Sequence, residues 1–234
     1  DVPIEQIISK KRASSLAKTI NFHEATSPDE LSPDSIFQEG ENTTHYSIID
    51  KYGNVVSNTY TLGYSFGSGV TIPGTGILLD NQMNNFAYQH GNPEVIDRSA
   101  SIGNRFEPGK RPMSTMTPII IFDENNELKL ITGSPGGSLI PAAVLRVVTG
   151  IIDFNLNLGE ATMLPRLHKD WPYKSLSLEK GFSKDTLKIL ESYGHELEQS
   201  KTMGSTQSIL ISAKGNEGFA DLRRPNAGVA IQID

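Results

Sequence analysis

The stretch ENTTHYSI, residues 41–48, sets two adjacent threonines in a polar segment directly before an alternating, strand-like run. Turn chemistry explains it, because Asn and Thr sit comfortably in loops. A stored nucleophile explains it as well, and periodicity does not choose between the two. Thr43 is chemically inconspicuous while its nitrogen lies in a peptide bond. Were the Asn42–Thr43 bond cut, the same residue would present a hydroxyl beside a free α-amine. Such an amine has an ordinary pKa of about 7.7–8.0, so one residue would supply both nucleophile and base near neutrality.

Downstream, YSIID and NVVSNTYTL flank KYGN and predict a hairpin. The glycine-rich segment 66–80 leads through a short apolar run into NQMNNF, and a polar loop over 87–110 precedes RPMSTMTPIIIF. Leu128 to Thr132 predicts a strand. GSPGG then introduces a helix over 138–154, apolar enough to suggest burial on several sides. SKDTLKILESYG predicts a helix capped by Ser183 and stopped by Gly194. QSILIS and GFADLR predict a second hairpin around KGNE, with GVAIQI as a final strand. Upstream, Ile4, Ile7, Ile8, Leu16 and Ile20 give one short amphipathic helix. Residues 24–42 hold six acidic residues and no Lys or Arg, the pattern of an extended connector. Strands at both ends with helices between predict an α+β class, a sandwich or mixed sheet covered by helices.

A chain of 234 residues buries a real core. Its 21 basic and 27 acidic residues, net −6, argue against broad binding of nucleic acid or anionic membrane. With no cysteine there is no disulfide, thiolate nucleophile or cysteine metal site. His23, His45, His90, His168 and His195 lack metal-ligand spacing, and SGVTIPGTG lacks a phosphate-loop lysine. No apolar run reaches membrane-spanning length. Residues 1–20 lack the order of a signal peptide, and the Asp1 start reads as that of a fragment or processed product.

Taken together and in order, TTHYSIIDKYGN, GILLDNQMNNF, GKRPMSTMTP and ITGSPGG resemble the small-subunit region of gamma-glutamyltranspeptidases, which are N-terminal-nucleophile hydrolases. The resemblance runs from about residue 43 to the end, and residues 1–42 look like the tail of the family's large subunit. It implies a four-layer αββα sandwich of which this chain supplies a part, and a precursor that cuts itself between Asn42 and Thr43. It implies that Thr43 is the nucleophile, that Thr61 orients it, and that the backbone amides of Gly136 and Gly137 form an oxyanion hole. By the same resemblance Gln82, Asn85, Ser114 and Thr115 bind substrate, the two hydroxyls holding its α-carboxylate.

The departures bear on the donor. Asn85 stands where typical members carry an aspartate that pairs with the donor's ammonium, and Gly63 stands where many have Asn or Glu. Ile96, in the lid-like segment 87–105, replaces a barrier tyrosine. The resemblance implies transfer of a gamma-glutamyl group from glutathione-like amides to water, amino acids or peptides, without metal or cofactor. The alternatives are a cephalosporin-acylase-like amidohydrolase with altered donor preference, or an uncleaved, non-catalytic binding module. The expected partner is the rest of the large subunit, the expected compartment periplasm or cell exterior, and the uncut chain is expected to be inactive. Arg223 and Arg224 are assigned to local structure or subunit contacts, and His45 to hydrogen bonding.

Overall fold

Strand β1 (Thr43–Ile49) and strand β2 (Val55–Thr61) form the expected antiparallel hairpin, in a register that pairs Thr43 with Thr61 and Ile49 with Val55. The computed structural model describes residues 3–30, 43–86, 104–170, 174–200 and 202–232. Asn42, residues 31–42 of the acidic connector, His90 and most of the segment around Ile96 lie outside them.

Four further strands build the main sheet: β3 (Ile119–Phe122), β4 (Leu128–Thr132), β8 (Gln207–Ser212) and β9 (Gly215–Ala220), in the order β3-β4-β8-β9 and antiparallel throughout. β4 is central, and Leu130, Ile131 and Thr132 are all fully buried. Its two faces meet different layers. Leu130 and Leu210, paired across β4 and β8, pack against Val147 and Ile151 of helix α3 (Ile140–Ile152) and Leu158 and Ala161 of helix α4 (Leu158–Met163). Burying a leucine there contributes about 1.5–3 kcal/mol. On the opposite face the β1–β2 hairpin lies against β4 and β8. Helices, main sheet and hairpin are thus three successive layers, part of an αββα sandwich.

The helix over 140–152 is buried on one side only, a correction to the sequence expectation. Ile140, Ala143, Val144, Val147 and Ile151 are buried, while Leu145 and Ile152 are 60% and 53% exposed. Gly150 lets α4 approach, since a Cβ there would lie 2.9 Å from that of Ala161. α4 starts with a capping box between Asn157 and Glu160.

A third sheet, unforeseen in the sequence, joins β5 (Leu167–His168), β6 (Ser175–Leu178) and β7 (Glu196–Gln199). β6 and β7 are parallel and therefore need a crossover, which helix α5 (Lys184–Ser192) provides. Ser183 caps α5 by accepting from the Thr186 amide at 3.1 Å, and Gly194 follows its end at φ 90°.

The N-terminal stripe forms two helices, α1 (Ile4–Ile7) and α2 (Lys10–Ala17), because Ser9 is extended and its hydroxyl caps α2 by accepting from the Arg12 amide. Neither buries a residue. The segment behind them reaches α5 through an Ala25 amide to Tyr193 carbonyl bond of 2.7 Å. Of the predicted terminal strand, the described residues 228–232 form no ladder. Instead Val229 lies over Gly218 of β9, where a Cβ would approach it to 2.7 Å.

Candidate active site

The hairpin carries its polar residues inward. Thr43 and His45 are 4% and 5% exposed, whereas Thr44 between them and Tyr46 and Ile48 beyond them face outward. His45 packs against Gly133 so closely that a Cβ there would meet the imidazole. Ser57 donates to the Thr132 carbonyl at 3.0 Å and Ser47 to the Gln207 carbonyl at 2.8 Å. The start of β1 and the turn that leaves β4 are thereby brought to one end of the sandwich.

His45 is an internal strut. Because Ser47 spends its proton on Gln207, its oxygen accepts from His45 Nε2 at 3.1 Å, and Nδ1 accepts from the Thr59 hydroxyl at 2.8 Å. That assigns a neutral Nε2–H imidazole. Burial lowers its pKa to about 4, in keeping with this tautomer. His45 therefore serves hydrogen bonding, as the sequence suggested.

Thr43 differs from its neighbours. Its buried hydroxyl has no hydrogen-bond partner among the described residues, a costly state for a group with no other use. Opposite it, Thr61 Oγ1 accepts from the Gly63 amide at 2.9 Å. Gly63 sits at φ 85°, and a Cβ there would lie 3.1 Å from that of Asn81. The position that departs from the family pattern thus helps to seat Thr61.

The turn after β4 is built from glycine because of its conformation. Gly136 and Gly137 take φ 137° and 59°, and Gly137 opens a single 3-10 turn ahead of α3. Gly204 backs them: a Cβ on Gly136 would lie 3.1 Å from the Gly204 Cα. Ser134 ties the two segments, accepting from the Ser205 amide at 2.9 Å and donating to the Pro135 carbonyl at 2.6 Å. Ser138 donates to Asp170 at 2.8 Å, and Asp170 in turn pairs with His168 at 2.7 Å. Unsatisfied amides at such a helix entry suit a developing oxyanion.

The expected substrate residues fall into two groups. Thr115 donates to the Gly137 carbonyl at 2.8 Å, which sets the irregular Ser114–Thr115 segment ahead of β3 beside the glycine turn. Gln82 and Asn85 lie in one 3-10 turn, where Asn85 Nδ2 donates to Gln82 Oε1 at 2.9 Å. Asn85 is 4% exposed, and its carbonyl accepts from Asn104 at 2.6 Å. Asn104 also accepts from the Met113 amide at 3.1 Å, linking this turn to the segment that carries Ser114.

Arg223 takes the local structural role expected of it, together with Arg166, which the sequence left unassigned. Arg166 and Arg223 share the fully buried Asp221, at 2.8 and 3.2 Å, and Arg223 also pairs with Glu179 at 2.6 Å. Burial pushes the Glu179 pKa up, but Arg223 and the amides of Met203 and Arg166 outweigh it and hold the carboxyl below its ordinary value. Glu179 and Asp221 accept from the amides of Met203 and Thr206, fixing the segment that contains Gly204. Arg224, next in sequence, donates to the Thr43 carbonyl at 2.7 Å. Adjacent arginines in DLRRP gave no sign of their opposite destinations.

A cavity of about 400 Å³ lies along β1, lined by Thr44, His45, Pro135, Ser205 and Arg224 among others. A second, more apolar cavity of about 410 Å³ lies behind α3 and contains none of the expected site residues. Among the described residues no group of three or more His, Asp or Glu is placed to hold a metal. None of their helices is long and apolar enough to cross a membrane.

The family model described as gamma-glutamyltranspeptidase matches residues 1–231. A glutathione hydrolase proenzyme of Escherichia coli K12 is 43% identical over 215 residues, which are 92% of this chain and 37% of that protein. The chain thus spans well under half the length of this relative. A solved gamma-glutamyltranspeptidase from Helicobacter pylori superposes with TM-score 0.70 at 39% identity, over 77% of this chain and 100% of the other. A cephalosporin acylase from Bacillus halodurans superposes with TM-score 0.78 at 26% identity, over 100% of this chain and 40% of the other.

Proposed function

This chain belongs to the gamma-glutamyltranspeptidase family, and on that premise we propose that it is the catalytic portion of a self-cleaving gamma-glutamyl transferase and hydrolase. Residues 1–42 are then the large-subunit tail with its connector, and residues 43–234 the small subunit. The reading is carried by the buried hydroxyl of Thr43, unpartnered among the described residues, at the head of β1, opposite Thr61 and at the same end of the sandwich as the glycine turn.

The chemistry follows in two stages. Thr43 Oγ attacks the Asn42 carbonyl carbon, the C–N bond breaks with the nitrogen taking a proton, and the resulting ester is hydrolysed by water. The freed Thr43 amine then takes the proton of its own hydroxyl, directly or through water. Oγ attacks the gamma-glutamyl carbonyl, and the amides of Gly136 and Gly137 receive the oxyanion. The leaving amine departs with a proton, and water or an amino-group acceptor releases the acyl group. The Ser114 hydroxyl holds the donor carboxylate, Thr115 fixes that segment against Gly137, and Gln82 and Asn85 hold the donor's amino end. With its nitrogen still in a peptide bond, Thr43 has no base, so the uncut chain is inactive.

The rest of the large subunit completes the site. An outward hairpin face bearing Tyr46, Ile48, Val56 and Tyr60, each 45–55% exposed, supports such a covering layer. A periplasmic or extracellular address rests on the family resemblance alone.

A second reading within the same chemistry, an acylase of altered donor preference, is favoured by Asn85 and by the fold match to a cephalosporin acylase. Turnover of matched gamma-glutamyl and glutaryl amides by the processed full-length parent separates the two. Faster turnover of the gamma-glutamyl amide is expected, and preference for the glutaryl amide would transfer the assignment to the acylase. Activity surviving Thr43→Ala would refute both.

A further inference from the structure

β9 ends at Ala220, and the next four residues send two guanidinium groups in different directions. Arg223 is locked inward: it donates to Glu179, to Asp221 and to the Thr162 and Leu164 carbonyls, with no contact longer than 3.4 Å. Anchored by that neighbour, Arg224 reaches back across 181 positions of sequence, and its Nη1 donates to the Thr43 carbonyl at 2.7 Å. A positive charge is therefore fixed on the main chain of the residue whose nitrogen the proposed cut releases. A residue's nitrogen and carbonyl are separated only by its Cα, so a charge held at one is felt at the other.

Few other charges compete among the described residues. On β1 itself His45 is neutral and committed to Thr59 and Ser47, and Tyr46 faces outward. On β2, Tyr60 faces outward as well, and β8 carries no titratable side chain. Lys129 of β4 is exposed at the strand end remote from the glycine turn. In the turn after β9, Asp221 is consumed by Arg166 and Arg223. Asp80, on the stretch ahead of Gln82, is exposed and accepts from the Gln82 amide.

We propose that Arg224 is a positioning residue for the nucleophile: it holds the Thr43 carbonyl and, by its charge, disfavours protonation of the amine that cleavage exposes. This rests on the reading of Thr43 as the residue that becomes N-terminal. An ordinary α-amine is largely protonated just below neutrality, and a protonated amine accepts nothing. A nearby cation opposes a second positive charge and enlarges the fraction able to act as base. Arg224 is exposed to solvent, which limits the shift to about half to one pH unit.

The test is the acidic limb of kcat/KM against pH in the processed full-length enzyme, for wild type, Arg224→Lys and Arg224→Gln. The wild-type limb is expected below the ordinary amine range, the lysine variant close to it, and the glutamine variant about half to one unit higher. A glutamine variant with an unmoved limb would overturn the proposal. Should that variant stay uncut, the mature wild-type enzyme is read at rising ionic strength instead. There the limb climbs if the guanidinium depresses the amine, and an unmoved limb again overturns it. A wild-type parent without a Thr43 N-terminus would instead refute the proposed function, so the two failures are distinct.

Discussion

The Thr115 hydroxyl donates to the Gly137 carbonyl at 2.8 Å, so a residue expected to hold the substrate carboxylate has its one proton on the turn expected to hold the oxyanion. Binding and catalysis are coupled through this bond. Thr115→Val keeps the shape but removes the donor, which costs about 1 kcal/mol of turn stability. In the processed parent, KM is expected to rise and kcat to fall together, each by about three- to tenfold, a range that spans the loss of one neutral hydrogen bond. Thr115→Ser should restore both. A valine variant that alters KM alone would show that the brace does not reach the glycines.

His45 predicts an acid sensitivity. The unfolded imidazole titrates near 6.5 and the folded one near 4, so between those values the unfolded chain binds more protons. Stability from the neutral strut is complete above pH 6.5 and is lost as pH falls toward 4, by about 3 kcal/mol. Urea unfolding of the full-length parent across that interval measures it. His45→Asn should lower stability at neutral pH and flatten the slope, whereas an equal slope in the variant would assign the acid sensitivity elsewhere.

Asn85 predicts donor selectivity. Its amide donates to Gln82 at 2.9 Å within a buried turn. In Asn85→Asp that donor becomes an acceptor, Gln82 turns its amide to answer it, and a negative charge faces the donor's ammonium. Charge-assisted contacts are about twice as strong as neutral ones. KM for a gamma-glutamyl amide is therefore expected to fall about tenfold, or ~1.4 kcal/mol, relative to a glutaryl amide. An unchanged ratio would remove Asn85 from the ammonium site.

Much of the fold was written locally. Ser183 and Gly194 bounded their helix, KYGN set the first hairpin, and Leu128–Thr132 formed the strand expected of it. What periodicity could not supply was which side of a strand is inside. β1 alternates cleanly, but Thr43, His45 and Ser47 face the main sheet while Tyr46 and Ile48 face away. Hydrophobicity alone would have turned that strand over. The small third sheet was illegible because β5 has two residues and β6 and β7 four each, too short for a periodic signal. The glycine pair and the threonines were found through motif resemblance. Gly204 and Arg224 carry no motif, and they, like the tie made by Ser134 within ITGSPGG, become visible only through contacts formed across the folded chain.

The decisive measurement is the intact mass and N-terminal sequence of chains from the full-length parent, wild type and Thr43→Ala. Two chains are expected from wild type, the smaller beginning at Thr43, and one uncut chain from the variant. A wild-type parent that stays whole, a cut at another bond, or equal cleavage without the hydroxyl would contradict the mechanism.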